Sequence, residues 1–202
     1  MKSLTVALAL SALALPNWSE VAWAEAPVVR IRGTIEAVDA TSVTIKPRLG
    51  ASVQVKLADS VRVATANAAK ISDIQPDSYI GTAATPQADG TLKALEVAVF
   101  APSMRGTGDG HYPWDLEKEN TMTNGAVGAL AGTTDRTIRV TYKGGEKTIT
   151  VPEGVPVVAL APGDRSAIKP GARVVAVTRA DAGGVAVADR MIVGENGTVP
   201  PM

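Results

Sequence analysis

The chain has 202 residues, 20 basic and 20 acidic side chains, one His and no Cys. Zero net charge argues against a general nucleic-acid binder, which needs a basic surface to displace counterions from phosphate. The missing thiols exclude disulfides, thiolate nucleophiles, zinc fingers and iron–sulfur clusters, and a single imidazole excludes sites built from several.

Residues 1–24 read as a cleavable signal peptide. Met1-Lys2 is a short positive start, Leu4 to Leu15 is an apolar run, and Ala22-Trp23-Ala24 supplies the A-x-A pattern of signal peptidase. The run is too short for a spanning helix, which needs about 20 residues, and no later segment is apolar for long enough. The expected mature protein therefore starts at Glu25, is exported to a bacterial periplasm, and is stabilised by packing alone. Trp18 and Trp23 leave with the leader, so Trp114 is then the sole tryptophan. With few aromatics, cores must be built from Val, Ile, Leu and Ala, which suits small β-barrels.

From residue 25 to 100 the pattern is one of strands. Val29, Ile31, Ile35 and Ala37 alternate with Arg30, Arg32, Thr34 and Glu36, a period of two with one apolar face. Arg30 and Arg32 read as an exposed stripe that protects a sheet edge. Val43 and Ile45, then Val53, Val55 and Leu57, continue the alternation, followed by Val61 and Val63. A short helical stretch is predicted over Ala66–Ile74. A strand from Tyr79, an Asp89-Gly90 hairpin turn and a strand Leu92–Phe100 complete the unit.

The segment 101–123 breaks the pattern. It holds the only His together with Trp114, Met104, Met122 and three alternating glycines, Gly106, Gly108 and Gly110. Flexible linkers are Gly/Ser- or Pro-rich without large apolar groups. Tyr112 and Trp114 are accordingly expected to pack on a barrel or in the groove between barrels. The glycines would allow a tight backbone path with amides open to a ligand.

The first unit's order returns 94 residues later: Val61, Val63, Ile74, Pro76, Gly90 and Ala94 recur as Val155, Val157, Ile168, Pro170, Gly184 and Ala188. Gly33–Val38 corresponds to Gly125–Leu130 at a slightly different offset. Thr137–Tyr142 and Glu146–Val151 flank a Lys143-Gly144-Gly145 hairpin. The expected fold is all-β: two tandem OB-like barrels, 25–100 and 124–199, each of about 75 residues and joined by an ordered segment. Closure would remove exposed edges.

The recurring pattern G-x-I-x-A-V-D…V-x-I…V-x-V…I-x-P…D-G-x-L-x-A-x-x-V resembles an uncharacterised exported bacterial domain of OB-like small-barrel type. That resemblance covers most of the mature chain and implies a fold rather than a chemistry. A broader likeness is to periplasmic copper and silver carriers, also small barrels. Their His, Met and Trp ligands have no counterparts on Val43–Lys46 or Val53–Leu57, so that site does not transfer.

Chemical readings centre on the segment 101–123. Gly106-x-Gly108-x-Gly110 is not a dinucleotide fingerprint, because the third glycine is misplaced and Pro113 denies the following helix. Met104, His111 and Met122 beside Trp114 would suit a soft ion such as Cu(I). Asp109, His111 and Asp115 would suit Cu(II), Zn(II) or another divalent ion. In the plainer alternative His111 bonds a backbone carbonyl while Tyr112 and Trp114 staple the barrels together. No serine occupies a nucleophile elbow, and Asp115 and Glu117 read as ordinary solvated charges rather than a paired acid and base. The sequence therefore points to a non-catalytic envelope module that binds a protein or glycan partner, with a metal site around His111 as the alternative. Asn196-Gly197-Thr198 matches a glycosylation pattern without evident use, and Pro200-Pro201-Met202 reads as a frayed tail.

Overall fold

The computed structural model of the chain describes residues 26–128 and 136–201. The expected leader lies outside them, except that nothing among the described residues forms a helix long and apolar enough to cross a membrane. Twelve strands are present: β1 (Val29–Val38), β2 (Ser42–Pro47), β3 (Val53–Ala69), β4 (Tyr79–Pro86), β5 (Leu92–Phe100), β6 (Gly110–Pro113), β7 (Thr121–Val127), β8 (Thr137–Tyr142), β9 (Gly145–Thr150), β10 (Val157–Gly163), β11 (Arg173–Ala180) and β12 (Ala186–Gly194). The all-β reading holds.

The pairing joins strands from opposite ends of the chain. β1 lies between β2 and β11, β11 pairs with β12, and β12 runs parallel to β3, so β12-β11-β1-β2-β3 closes into a five-stranded barrel. A second ring runs β5-β4-β7-β8-β9, closed by a short parallel contact of Leu92 with Ile149 and Lys93 with Thr150. Each ring thus takes three strands from one half and the final hairpin from the other. The halves 25–100 and 124–199 do not close on themselves as tandem barrels; they exchange hairpins.

The cause lies in β3. Its 17 residues contain no Gly or Pro, and only a register shift against β12 between Leu57 and Arg62 marks a corner. At about 3.3 Å per residue the strand reaches about 55 Å, which carries the chain out of the first ring and delivers β4 and β5 to the second. In the later half Pro152-Glu153-Gly154 occupies that corner and divides the equivalent stretch into β9 and β10. The far half of β3 then pairs antiparallel with β10, Ala66 opposite Leu160. These two are each other's equivalents at the 94-residue offset, so a pseudo-twofold relation passes between them. The same relation turns the β10–β5 contact (Val157 with Val97) into the β12–β3 contact (Met191 with Val63).

This pairing also explains why no helix forms over Ala66–Ile74. Alanine is the best helix former, but intrinsic propensity is weak against tertiary pairing, which overrides it here. β3 continues to Ala69 because Ala64 and Ala66 are held on both edges by β10 and β12, and only Ile71–Asp73 makes a single 3₁₀ turn.

Three apolar clusters follow. Ile35, Val43, Ile45, Val55, Val174, Ala176, Met191 and Val193 fill the first ring. Ile80, Leu92, Val97, Ile138, Val140 and Ile149 fill the second. The third comprises Ala64, Ala66, Tyr79, Ala98, Phe100, Val158, Leu160, Val175 and Ile192, and it sits where the strands cross. Successive residues on a strand face opposite ways. Met191 and Val193 therefore point into the first ring while Ile192 points into the crossing.

Candidate functional site

Beyond β5 the chain makes a 3₁₀ turn at Pro102–Met104 and returns as β6, which forms a hairpin with β7: His111 faces Thr123 and Tyr112 faces Met122. The strand β7 begins at Thr121, so the last residues of the 101–123 segment belong to the second ring and Met122 is fully buried there. Packing of the segment against both rings agrees with the expectation from its large aromatics.

Under this segment lies a cavity of about 280 Å³, just below the range of roughly 300–1,000 Å³ usual for ligand sites. Its floor is the crossing cluster, with Ala64, Phe100, Leu160, Val175 and Ile192, and its roof is Met104, Gly108, Tyr112, Trp114, Met122 and Asn124. Three arginines, Arg30, Arg179 and Arg190, also line it, and the lining includes no carboxylate among the described residues. The 101–123 segment roofs one side of the crossing.

The roof is internally braced. Gly108 has φ +60, and a Cβ there would lie 2.7 Å from Asn124 Nδ2 and 3.1 Å from the Tyr112 hydroxyl; only glycine meets both demands. The buried Asn124 amide donates to the carbonyls of Thr107 (3.2 Å) and Gly108 (3.1 Å) and to the Tyr112 hydroxyl (3.2 Å). The amides of Thr107 and Asp109 bond the carbonyls of Met104 and Gly106, so the glycine-rich turn spends these donors on itself. Gly106 lies in that turn away from the cavity lining, and Gly110 opens β6. The Trp114 ring stands 6.0 Å from Tyr112, and the Trp114 amide bonds the Asn120 carbonyl at 2.8 Å. The buried Asn120 side chain ties that loop, its amide nitrogen facing the Glu117 and Trp114 carbonyls.

Arg30 and Arg32 are not a solvated stripe. The Arg30 guanidinium lies 3.8 Å from the Trp114 ring centroid, a cation–π contact. Asp115 bridges Arg30 at 3.3 Å and Arg32 at 2.7 Å. Burial pushes the Asp115 carboxyl up, but the hydrogen bond and charge of Arg32 and the charge of Arg30 outweigh it and hold it below its usual value. Burial, then the like charges of Arg62 and Arg30, lowers the Arg190 pKa against the opposing charge of Asp189.

The metal sets from the sequence are divided by the strand period. Met104 and Met122 face the cavity with Tyr112. His111, one residue along β6, faces away: its Nδ1 lies 2.8 Å from the Thr123 hydroxyl and its ring stacks on Tyr142 at 6.0 Å. Burial, then the charge of Lys147, lowers the His111 pKa. Its partner is a hydroxyl rather than the expected carbonyl. Asp109 accepts from the Lys143 amide (2.6 Å) and the Tyr79 hydroxyl (3.3 Å), while Asp115 is held by the arginines. Burial and the Asp109 carboxylate push the Tyr79 phenol up, so it remains protonated. Among the described residues no three His, Cys, Asp or Glu side chains gather as metal ligands, and His111 lies on the face of β6 opposite to Met104 and Met122.

Sequence reasoning missed Phe100, Leu160, Val175, Arg179, Arg190 and Ile192. A signal for the apolar ones was present: Val174-Val175-Ala176-Val177 and Met191-Ile192-Val193 are apolar on both faces, as strands covered on both sides must be. Comparison of the chain with family models, with curated proteins and with solved structures yields no match.

Proposed function

We propose that the chain is a non-catalytic binding module of the bacterial cell envelope, working in the periplasm after removal of residues 1–24, and that its site is the cavity beneath the 101–123 segment. The observation that carries the reading is this lining. Met104, Gly108, Tyr112, Trp114 and Met122, singled out from sequence for other reasons, converge there on an apolar floor built from both halves. Small closed barrels of the OB-like kind commonly present such surfaces to ligands. A partly open hollow of this size suits a small molecule better than a glycan chain or a protein surface, which would need a broad exposed face.

The test is native mass spectrometry of the protein purified from the periplasm without a metal-affinity tag. The expected result is a one-to-one adduct of organic mass that persists in His111→Ala and is lost in Leu160→Trp, which fills the cavity. A bare polypeptide mass for the unsubstituted protein, or an adduct insensitive to Leu160→Trp, overturns the reading. A metal adduct lost in His111→Ala would restore the alternative.

A further inference from the structure

We propose, resting on the binding reading above, that the cavity takes a small amphiphile with one anionic head, a carboxylate or a phosphate, on an apolar chain, about ten carbon-sized groups in all. The volume sets the size: about 280 Å³, at roughly 30 Å³ per water-sized group, holds about ten such groups. The floor sets the body, since Ala64, Phe100, Leu160, Val175 and Ile192 offer no charge and no polar side-chain atom.

The head follows from the charges. The chain as a whole is balanced, 20 against 20, yet the cavity lining is one-signed, with Arg30, Arg179 and Arg190 and no carboxylate among the described residues. Asp115 partly neutralises Arg30 from outside the cavity. Arg190 lines the same cavity as Arg30 and feels the like charges of Arg62 and Arg30 against the opposite charge of Asp189. An anion placed between Arg190 and Arg30 would relieve that repulsion and receive charge-assisted, paired hydrogen bonds. The Trp114 ring, already under Arg30, fixes one wall of the pocket for the head. A two-chain phospholipid is too large for the cavity, which commits the proposal to a free single-chain ligand.

Titration calorimetry on the whole protein tests this with decanoate and decyl phosphate, with decyltrimethylammonium as the cation of equal tail, and with acetate as the head alone. One-to-one binding of decanoate or decyl phosphate is expected, with the cation and acetate at least tenfold weaker. Octanoate should bind roughly tenfold more weakly than decanoate, because two buried methylenes are lost. Arg190→Gln should weaken the anion by about ten- to hundredfold at an unchanged melting temperature, and Arg190→Lys should recover part of the loss. Equal affinity for anion and cation, or no effect of Arg190→Gln, overturns the anionic assignment while leaving the binding reading standing. Absence of binding by every amphiphile, or uptake only as phosphatidylglycerol vesicles, also overturns it. The binding reading itself is then judged separately by the co-purified adduct and Leu160→Trp.

Discussion

The exchange of hairpins makes a prediction that distinguishes it from two self-contained barrels. In β5, Leu92 is 3 % exposed and lies opposite Ile149 of β9, which is fully buried. Were each half to close on itself, Leu92 would instead face Val55, the residue equivalent to Ile149 at the 94-residue offset. Leu92→Ala should cost about 2–5 kcal/mol and Ile149→Val about 0.5–1.5 kcal/mol, from lost burial and the residual cavity. The two side chains share one contact, so their double mutant should depart from additivity by about 0.5 kcal/mol or more. Leu92→Ala combined with Val55→Ala should be additive within about 0.5 kcal/mol, because these residues belong to different clusters. Urea unfolding followed by circular dichroism measures all the free energies. Because each ring uses strands of both halves, every variant should unfold in one transition. Coupling between Leu92 and Val55, with none between Leu92 and Ile149, would refute the exchange.

Other consequences are open to simpler measurements. A Cβ on Gly125 would lie 2.4 Å from the Thr141 carbonyl oxygen, and the equivalent Gly33 is as close to Lys46. Gly125→Ala should therefore cost about 1–3 kcal/mol, and an unchanged melting temperature would show that the β7–β8 approach is looser than described. His111 has a pKa lowered from 6.5 by burial and then by Lys147, so the unfolded chain takes up the proton more readily than the folded one. Stability should be intact above about pH 6.5 and fall as the pH drops below it; melts across that range on His111→Phe should lose the slope. Asp115→Asn should change stability little, as exposed ion pairs contribute little, yet it should tighten decanoate about two- to fivefold by freeing Arg30. Calorimetry showing weaker binding would place the anion away from Arg30.

Much of the local structure was open to inspection in the residues. The period-two alternation located β1, β2, β8 and β9, and the Asp89-Gly90 turn, with Gly90 at φ +82, joined β4 to β5 as predicted. The 94-residue recurrence foresaw a β4–β5 hairpin and its counterpart β11–β12 in matching positions. Five residues singled out in the sequence line the cavity, though for other reasons: Tyr112 and Trp114 as too large to leave in water, Met104 and Met122 as ligands for a soft metal ion, and Gly108 as part of an alternating glycine path. Other features were not. Arg30 looked solvated because alternation tells which residues share a face but not what covers it; the covering ring of Trp114 comes from 84 residues away.

By itself, then, the sequence determined the class, the repeat and the segment in which the chemistry is concentrated. These depend on composition and on patterns a few residues long, which backbone geometry translates directly into strands and turns. Tertiary structure alone decided which hairpin closes which ring, and with it the site. Equivalent strands in the two halves are nearly interchangeable partners, so local pattern assigns no preference between them. The long unbroken β3 and the antiparallel match of Ala66 to Leu160 settle the choice. They bring Arg190 and Ile192 from the end of the chain under Tyr112 and Trp114 from its middle, and they set His111 on the far side of the same short strand.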